Sequence, residues 1–413
     1  MGYGPRHAEG DRPRRLTVAD DRAGEGLATR LANAGRRNEW THDERIGGGI
    51  VNPPVWRAST ILYDNVAALR DRGRDTHDKL YYGRRGTPTV WALCDALTEL
   101  EPGAAGTLLF PSGVAAIATA LIAMTKPGDD ILVVDSAYEP TRAICDGLLK
   151  RGGVATRYYD PAVGSDIAAL IQANTALIVV ESPGSLTFEV QDVPAIVAAA
   201  RAAGVATMID NTWASPLGFR AIEHGVDIAM LSLTKYVGGH SDALMGSLTV
   251  TPDLWPRVRE VAYELGQSVS ADDCALMLRG LRTLDVRLAR HAASSLAVAE
   301  WLRAHPAVAT VLHPALPGAP GHDLYRRDFL RSAGLFAFAL ADTSPAQRDA
   351  VVDALERFGI GFSWGGYESL AIPADPRRTV CRWTGGPLIR LSIGLEDPAD
   401  LIADLDQALA TLR

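Results

Sequence analysis

An alternation of strand-like and helix-like segments between residues 87 and 281 is the feature that most constrains the fold of this chain. The strand-like runs are apolar throughout, as expected of strands that are covered on both faces. Strands that alternate with helices of about 10–15 residues are typical of βαβ units, so we predict an α/β protein with a largely parallel sheet. The predicted helices are 90–100, 113–124, 141–150 and 194–203, and the predicted strands are 107–110, 130–135, 155–159, 176–181, 205–210 and 227–232.

Length and charge limit the classes of protein to which the chain can belong. Because 413 residues exceed a usual single core, we expect two or three domains. A net charge of −8 gives no support for binding to nucleic acid or to an acidic membrane, since both need a basic face. Residues 1–24 are polar and rich in Gly and Pro, which predicts a disordered extension. No apolar run reaches the roughly 18 residues that a membrane helix needs, so we expect no membrane span.

Cysteine and histidine spacing argues against a disulfide framework and against a metal site. The cysteines are scattered without a CxxC pair, which fits reduced thiols and predicts a cytoplasmic protein. The nine histidines show neither HExxH nor HxH spacing, so we expect no metal. The four cysteines are Cys94, Cys145, Cys274 and Cys381.

A single lysine closes the last of the predicted strands. Lys235 follows the apolar run at 228–231 and lies among hydroxyl residues and glycines. A lysine near a strand end is more often a solvated terminus, but a buried ammonium is costly unless it is paired or neutralised. A neutral lysine amine at such a position is suited to Schiff-base chemistry with an aldehyde.

Three further features in the same region fit a pyridoxal phosphate (PLP) enzyme. Asp210 ends a predicted strand 25 residues before Lys235 (235 − 210), where an acid can pair with the protonated pyridine nitrogen. Gly113 and Val114 begin a predicted helix, whose free N–H groups attract a phosphate. Tyr138 follows another strand and can stack on a flat ring. Each feature alone is common in α/β proteins, whereas the combination predicts a PLP site.

Several motifs resemble one family, the PLP enzymes of cysteine and methionine metabolism, over roughly residues 27–410. They are Tyr82-Gly-Arg-Arg-Gly-Thr, Ser112-Gly, Ala137-Tyr-Glu-Pro, Asp210-Asn-Thr-Trp, Ser232-Leu-Thr-Lys-Tyr-Val-Gly-Gly-His-Ser-Asp and Ser363-Trp-Gly-Gly-Tyr-Glu-Ser-Leu. The last motif, with tryptophan after serine, looks most like bacterial cystathionine β-lyases. The resemblance implies the aspartate aminotransferase-like fold, fold type I, with a mostly parallel large domain and a smaller C-terminal α+β domain.

The resemblance also implies roles for individual residues. Catalysis is assigned to Lys235, Tyr138 and Asp210. Cofactor contacts are assigned to Tyr82, Arg84, Gly113, Val114, Tyr138, Asp210, Ser232, Thr234 and Lys235. Substrate contacts are assigned to Arg85, Tyr263, Ser363, Trp364 and Arg390, of which Arg390 clamps the α-carboxylate. In the family Tyr82 and Arg84 reach the phosphate of a neighbouring subunit, so a homotetramer, arranged as a dimer of dimers, is implied.

Three domains follow from the same resemblance rather than from composition. Residues 1–86 are expected to form an extension and an intersubunit arm, 87–281 the PLP-binding domain and 282–413 the C-terminal domain. The last section carries apolar residues at helical spacing from 284 onwards, a strand-like run at 335–340, a predicted helix at 345–358 and a closing helix at 399–412.

The activity implied is a carbon–sulfur β-lyase that cleaves cystathionine to homocysteine, pyruvate and ammonia. One departure weakens the choice of substrate, because the bacterial β-lyases carry an acid five residues after the stacking tyrosine and this chain has Ala143 there. A β-lyase for another cysteine S-conjugate therefore stays open. So does a γ-replacement enzyme that makes cystathionine or homocysteine, although Trp364 counts against it. A non-enzymatic descendant is disfavoured, since it would be expected to lose the lysine, the aspartate or the arginine.

Overall fold

A seven-stranded, mostly parallel sheet forms the centre of the protein in the computed structural model. The structure describes residues 25–45, 47–70 and 80–412, so the extension predicted at residues 1–24 lies outside the described residues. The neighbouring strands, in spatial order, are Gly106–Phe110, Gly246–Val250, Ile228–Ser232, Ala206–Asp210, Thr175–Glu181, Asp130–Val134 and Ala155–Tyr159. The α/β architecture predicted from the alternating pattern is confirmed.

One strand of this sheet was not predicted from the sequence. Gly246–Val250 pairs antiparallel with both of its neighbours, Gly106–Phe110 and Ile228–Ser232, whereas the remaining pairs are parallel. Because this strand runs against its neighbours, Gly106–Phe110 points in the same direction as the other five strands. Six strands therefore end at one edge of the sheet, and their carboxyl ends bring the segments that follow them together.

A second, five-stranded sheet is built from the C-terminal third of the chain. Its strands, in spatial order, are Val308–Leu312, Leu335–Leu340, Leu388–Ser392, Leu370–Ala374 and Gly359–Ile360. The pairs are antiparallel except the last, which is parallel. This mixed sheet corresponds to the smaller α+β domain that the resemblance implied.

Alternate side chains of Leu335–Leu340 face two different apolar cores. Leu335, Ala337 and Ala339 pack in the core that surrounds the large sheet. Phe336, Phe338 and Leu340 pack with the helices on the other face of the smaller sheet. This alternation follows from the two-residue period of a strand. The smaller sheet is thereby packed directly against the region that holds the carboxyl ends of the large sheet.

Helices cover both sheets, and most of them agree with the sequence pattern. The predicted helix at 141–150 consists of an α-helical turn, Glu139–Ile144, and a π-helical turn, Cys145–Leu149, and the helix predicted at 345–358 ends at Asp353. Every helix within the described ranges is too short or too polar to cross a bilayer. The α-helices are Leu27–Ala32, Asn38–Thr41, Val66–Arg70, Pro88–Thr98, Gly113–Met124, Glu139–Ile144, Val193–Ala202, Ser215–Gly218, Trp255–Glu264, Ala271–Arg282, Leu284–Ala304, His322–Asp328, Pro345–Asp353 and Pro398–Leu409. The shorter 3₁₀ turns are Gly83–Arg85, Gly164–Leu170 and Ala410–Leu412, and His42–Asp43 pairs with Gly48–Gly49 as a small separate ribbon.

Candidate active site

A cavity of about 200 Å³ lies where the carboxyl ends of the parallel strands meet the smaller sheet. Polar side chains at or after the ends of five strands of the large sheet line it, and the smaller sheet contributes an arginine. The predicted residues that line the cavity are Gly113, Val114, Tyr138, Asp210, Ser232, Thr234, Lys235, Trp364 and Arg390. Residues far apart in the sequence are thus brought together in one cavity.

Lys235 lies in a turn three residues after the strand Ile228–Ser232. Its Nζ donates a hydrogen bond of 3.0 Å to Ser363 Oγ and lies 5.4 Å from the centre of the Trp364 ring. Burial, together with the positive charge of Arg390, lowers the pKa of Lys235 to about 8, although Asp210 acts in the opposite direction. The lowered pKa increases the fraction of the amine that is neutral near neutral pH, and the neutral form is the one that attacks an aldehyde.

Asp210 is the last residue of its strand and points into the same cavity. Its Oδ1 accepts a hydrogen bond of 3.0 Å from Thr212 N and another from Thr212 Oγ1. Burial raises the pKa of Asp210, and the hydrogen bonds from Thr212 and the charge of Lys235 partly offset this effect. A buried carboxyl of this kind gains most from a cationic partner, and a protonated pyridine nitrogen is one.

Glu181 is a cavity residue that the sequence reasoning missed. It is the register partner of Asp210 on the adjacent parallel strand, and it accepts a hydrogen bond of 2.6 Å from Tyr138 N. Burial and the neighbouring Asp210 raise the pKa of Glu181 well above its usual value. A signal was available, because an acid ends the apolar strand 175–181 just as Asp210 ends its own strand.

The beginning of the helix Gly113–Met124 forms a cradle for an anion. Ser112 caps this 12-residue helix by accepting a hydrogen bond of 3.1 Å from Ala115 N. In the part of the chain that the structure describes, no protein group accepts from the N–H of Gly113 or Val114. A Cβ at Gly113 would lie 3.0 Å from the Ser232 Cβ, so a side chain there would crowd the cradle. These N–H groups, with the hydroxyl of Ser232 close by, fit a phosphate.

Thr234, which was assigned a cofactor contact, also has a structural role. Its Oγ1 donates to Met245 O at 3.2 Å and accepts from Met245 N at 3.0 Å. These two bonds fix the turn that carries Lys235 to the antiparallel strand that follows. The second lone pair of the hydroxyl oxygen still allows Thr234 to accept one more hydrogen bond.

Arg390 lies in the middle of the strand Leu388–Ser392, and its side chain enters the cavity from the smaller sheet. One guanidinium nitrogen, Nη2, donates to Phe362 O at 2.9 Å and to Ser363 O at 3.2 Å. Its Nε is buried without a hydrogen-bond partner among the described residues. Burial lowers the pKa of Arg390 to about 10. A buried guanidinium with donors to spare fits a carboxylate, which pairs with arginine in bidentate geometry.

Five of the predicted residues are not part of the lining of the Lys235 cavity of their own chain. One is Ser363, which accepts the hydrogen bond from Lys235 Nζ, and the others are Tyr82, Arg84, Arg85 and Tyr263. Arg84 donates to Tyr263 O at 3.1 Å, and the Arg85 guanidinium carbon lies 3.8 Å from the centre of the Tyr263 ring. Tyr82 is 46 % exposed beside this cluster. Placement of Tyr82 and Arg84 away from the cavity agrees with the intersubunit role that the resemblance implied, but their contribution to a neighbouring site stays a prediction. The substrate contacts assigned to Arg85 and Tyr263 also stay predictions.

A lysine with a lowered pKa, a buried acid, an anion cradle and a stacking tyrosine on a fold type I scaffold define the class of PLP-dependent enzymes. A family model described as "Cys/Met metabolism PLP-dependent enzyme" matches residues 28–410, and the chain belongs to this family. Because these site features fit the cofactor's aldehyde, ring nitrogen and phosphate, the cofactor is pyridoxal 5′-phosphate.

Relatives and solved structures agree with this assignment over nearly the whole chain. Cystathionine beta-lyase MetC of Escherichia coli K12 is 46 % identical over 396 residues, covering 94 % of this chain and 98 % of that protein. The L-alanine/L-glutamate racemase of Wolbachia pipientis is 40 % identical over 380 residues, covering 88 % and 93 %. The crystal structure of metB from Corynebacterium glutamicum superposes with a TM-score of 0.85 at 30 % identity, covering 94 % and 99 %.

Proposed function

We propose that the protein is a carbon–sulfur β-lyase that cleaves L-cystathionine, or a related cysteine S-conjugate, to a thiol, pyruvate and ammonia. The observation that carries this proposal is the placement of the Lys235 amine in one cavity with Asp210, Arg390 and Trp364. Similarity to the E. coli β-lyase over 94 % of the chain supports the same reaction. The γ-replacement alternative is less well supported, because Trp364 follows Ser363 as in the β-lyases.

Different residues of the cavity perform different steps of the reaction. PLP, when bound, supplies an aldehyde that bonds to the substrate amino group and a protonated ring that withdraws electrons from Cα. Arg390 binds the α-carboxylate and so orients the Cα–H bond toward Lys235. The Lys235 amine takes the Cα proton as a base. The electron pair of the broken Cα–H bond then expels the thiolate from Cβ, and water finally releases pyruvate and ammonia.

Product analysis tests the proposed reaction directly. Purified holoenzyme with cystathionine should form pyruvate and homocysteine in equal amounts, because β-elimination breaks the bond between sulfur and the three-carbon half. Formation of 2-oxobutyrate and cysteine would instead identify γ-elimination. Since one relative is an alanine and glutamate racemase, D-alanine formation from L-alanine is measured in parallel. Racemase turnover without pyruvate formation would overturn the proposal.

We propose a broad preference among sulfur amino acids, because Ala143 replaces an acid that could bind the distal ammonium of cystathionine. Introducing that acid as Ala143→Asp should raise the ratio of kcat/KM for cystathionine over S-methylcysteine. A charged hydrogen bond is worth roughly 1.5–3 kcal/mol, so the ratio should rise about 10- to 100-fold. Wild-type enzyme is expected to show the smaller ratio.

Asp146 provides the matched comparison for this prediction. Three residues after Ala143, it could in principle supply the missing charge. Asp146 lies in the π-helical turn and, like Ala143, is outside the lining of the cavity. Burial, and then the charge of Asp146, raise the pKa of Cys145. Because the Asp146 charge acts on Cys145, Asp146→Ala should leave the substrate ratio unchanged. A strong cystathionine preference in wild type that survives Asp146→Ala would show that position 143 does not control this choice.

We propose that the active sites are completed across a subunit interface in a dimer of dimers. The segment near residues 50–62 exposes apolar side chains, including Val51 at 68 % and Leu62 at 91 %, which supports an interface there. Arg84→Ala should weaken PLP affinity roughly 10- to 100-fold through loss of a charged hydrogen bond. Arg45→Ala is the matched control, because Arg45 is 88 % exposed in the same N-terminal region.

Mixing Arg84→Ala with Lys235→Ala subunits tests the shared site. In a 1:1 mixture of Arg84→Ala and Lys235→Ala, refolded together, half of the dimers are hybrids and each has one intact site of two. Activity at PLP concentrations that saturate only the wild type should therefore recover to about a quarter of the wild-type value, given two-fold symmetry. If the mixture gives no more than the two variants assayed separately, Arg84 serves its own subunit. A fully active monomer in light scattering would also refute the arrangement.

We further propose the division into an arm at 1–86, a PLP-binding domain at 87–281 and a C-terminal domain at 282–413. A cytoplasmic location is proposed as well. It is supported by Cys145 and Cys274, which are free and buried, as is typical of proteins kept under reducing conditions.

A further inference from the structure

The connection 375–387 joins two strands of the smaller sheet and crosses to the large sheet beside the cavity. It follows Leu370–Ala374 and precedes Leu388–Ser392, the strand that carries Arg390. Two consecutive arginines in this connection behave differently. The Arg377 side chain is 80 % exposed, whereas the Arg378 side chain is 4 % exposed. Burial of a guanidinium is costly unless the charge is paired. The proposed mechanism gives Arg378 no role, so its burial needs another explanation.

One end of the connection is anchored on Asp135, which is fully buried. The Asp135 carboxylate accepts hydrogen bonds from the backbone N–H groups of Thr379, Val380 and Cys381, at 2.7–2.9 Å. Burial acts to raise the pKa of Asp135, but these bonds and Arg142 together hold it below its usual value. The connection is therefore fixed to a residue that lies three positions before the stacking tyrosine.

Arg378 reaches from this anchored segment to a second segment of the cavity wall. Its Nη1 donates to Asp135 O at 2.6 Å. Its Nη2 donates to Ser185 O at 3.4 Å, to Thr187 Oγ1, and to both carboxylate oxygens of Glu189 at 3.3 Å. A single guanidinium thus bridges the turn before Tyr138 and the segment 185–189. Arginine suits this task because its planar fork presents several donors in fixed directions.

The bridged wall segment has a backbone conformation that its own residues disfavour. Leu186 has φ of 67° and Phe188 has φ of 56°, so two bulky residues occupy the left-handed region. Such residues keep this conformation only where surrounding contacts impose it. Both line the cavity, as does Ser185. Thr187 lies between them, and its Oγ1 accepts a hydrogen bond from Arg378.

We propose that Arg378 is a positioning residue, which fixes the wall at 185–188 and the Tyr138 turn relative to the Arg390 strand. The cofactor side of the cavity and the carboxylate-binding side belong to different sheets, and Arg378 joins them through its hydrogen bonds. This role does not depend on which sulfur amino acid the enzyme cleaves. It therefore extends beyond the proposed function, and it can be tested on PLP binding and local mobility without any turnover assay.

Hydrogen–deuterium exchange and PLP titration of Arg378→Gln test the role, with Arg377→Gln as the matched control. In Arg378→Gln the backbone amides of 184–189 should exchange about tenfold faster, because the imposed left-handed turns lose their support. PLP should bind about tenfold more weakly, since a small misplacement of the site lowers its complementarity. Arg378→Lys should recover part of both effects, because it keeps the charge but loses the fork. Arg377→Gln should behave as wild type.

The same measurements can overturn the proposal. If exchange at 184–189 and PLP affinity match those of Arg377→Gln, Arg378 does not position the wall. If exchange instead rises equally in the central strand Ala206–Asp210, Arg378 supports overall stability and has no specific link to the site. Should Arg378→Gln fail to fold, the same comparison is made between Arg378→Lys and Arg377→Gln, with a smaller local effect expected and the same two outcomes counting against the role.

Discussion

Replacing Lys235 by alanine should abolish pyruvate formation from cystathionine while the protein stays folded. The amine lies inside the cavity, and burial lowers its pKa to about 8, so it can act as a base near neutral pH. Loss of a general base alone slows a reaction about 10²- to 10⁴-fold, and Lys235 is also the proposed attachment point for the cofactor aldehyde. The expected loss in kcat therefore exceeds about 10⁴-fold.

Two controls separate the loss of chemistry from the loss of structure. The anion cradle at Gly113 and Val114 does not involve the Lys235 amine, so Lys235→Ala should still bind PLP, although without a covalent bond to the protein. Borohydride treatment followed by peptide mass spectrometry should label Lys235 in wild type and no lysine in the variant. Lys126→Ala, at an exposed lysine, should retain full activity. Pyruvate formation by Lys235→Ala at more than about one per cent of the wild-type rate would remove this residue from its role.

The large sheet and most of the cavity could be predicted because the relevant signals are local in sequence. An apolar run that ends in a polar residue marks a strand end, and parallel strands end at one edge. Asp210, Tyr138 and Lys235 all follow this pattern, and the structure brings them to one cavity. The antiparallel strand at 246–250 escaped prediction because its sequence, Gly-Ser-Leu-Thr-Val, has few large apolar residues.

Contacts between distant parts of the chain could not be predicted from local patterns. Lys235 and Ser363 are 128 residues apart, yet their side chains form a hydrogen bond. Glu181 ends an apolar strand as Asp210 does, but its position beside Asp210 depends on strand order, which local patterns do not provide. Arg378 resembles any surface arginine in the sequence, and only the fold shows that its side chain is buried. These residues acquire their environment from pairing between strands and from the packing of one sheet on the other.

Replacing Arg390 by glutamine should lower kcat/KM for every amino-acid substrate by about 10²- to 10⁴-fold, because removal of one partner from a buried ion pair costs roughly 3–5 kcal/mol. The loss should fall mainly on KM, since the α-carboxylate contacts the guanidinium both before and during the reaction. Arg390→Lys should be intermediate, because a lysine keeps the charge without the bidentate fork. PLP affinity should change little, as the phosphate cradle is on the other side of the cavity.

A substrate analogue distinguishes a carboxylate contact from a general disturbance of the cavity. The carboxamide of S-methylcysteine lacks the negative charge, so wild type should process it more slowly than S-methylcysteine. In Arg390→Gln the two compounds should react at similar rates. The effect of removing the carboxylate charge on the reaction rate should therefore depend strongly on whether Arg390 is present. If Arg390→Gln still prefers the carboxylate by the wild-type factor, Arg390 is a structural residue and its hydrogen bonds to Phe362 O and Ser363 O are its whole contribution.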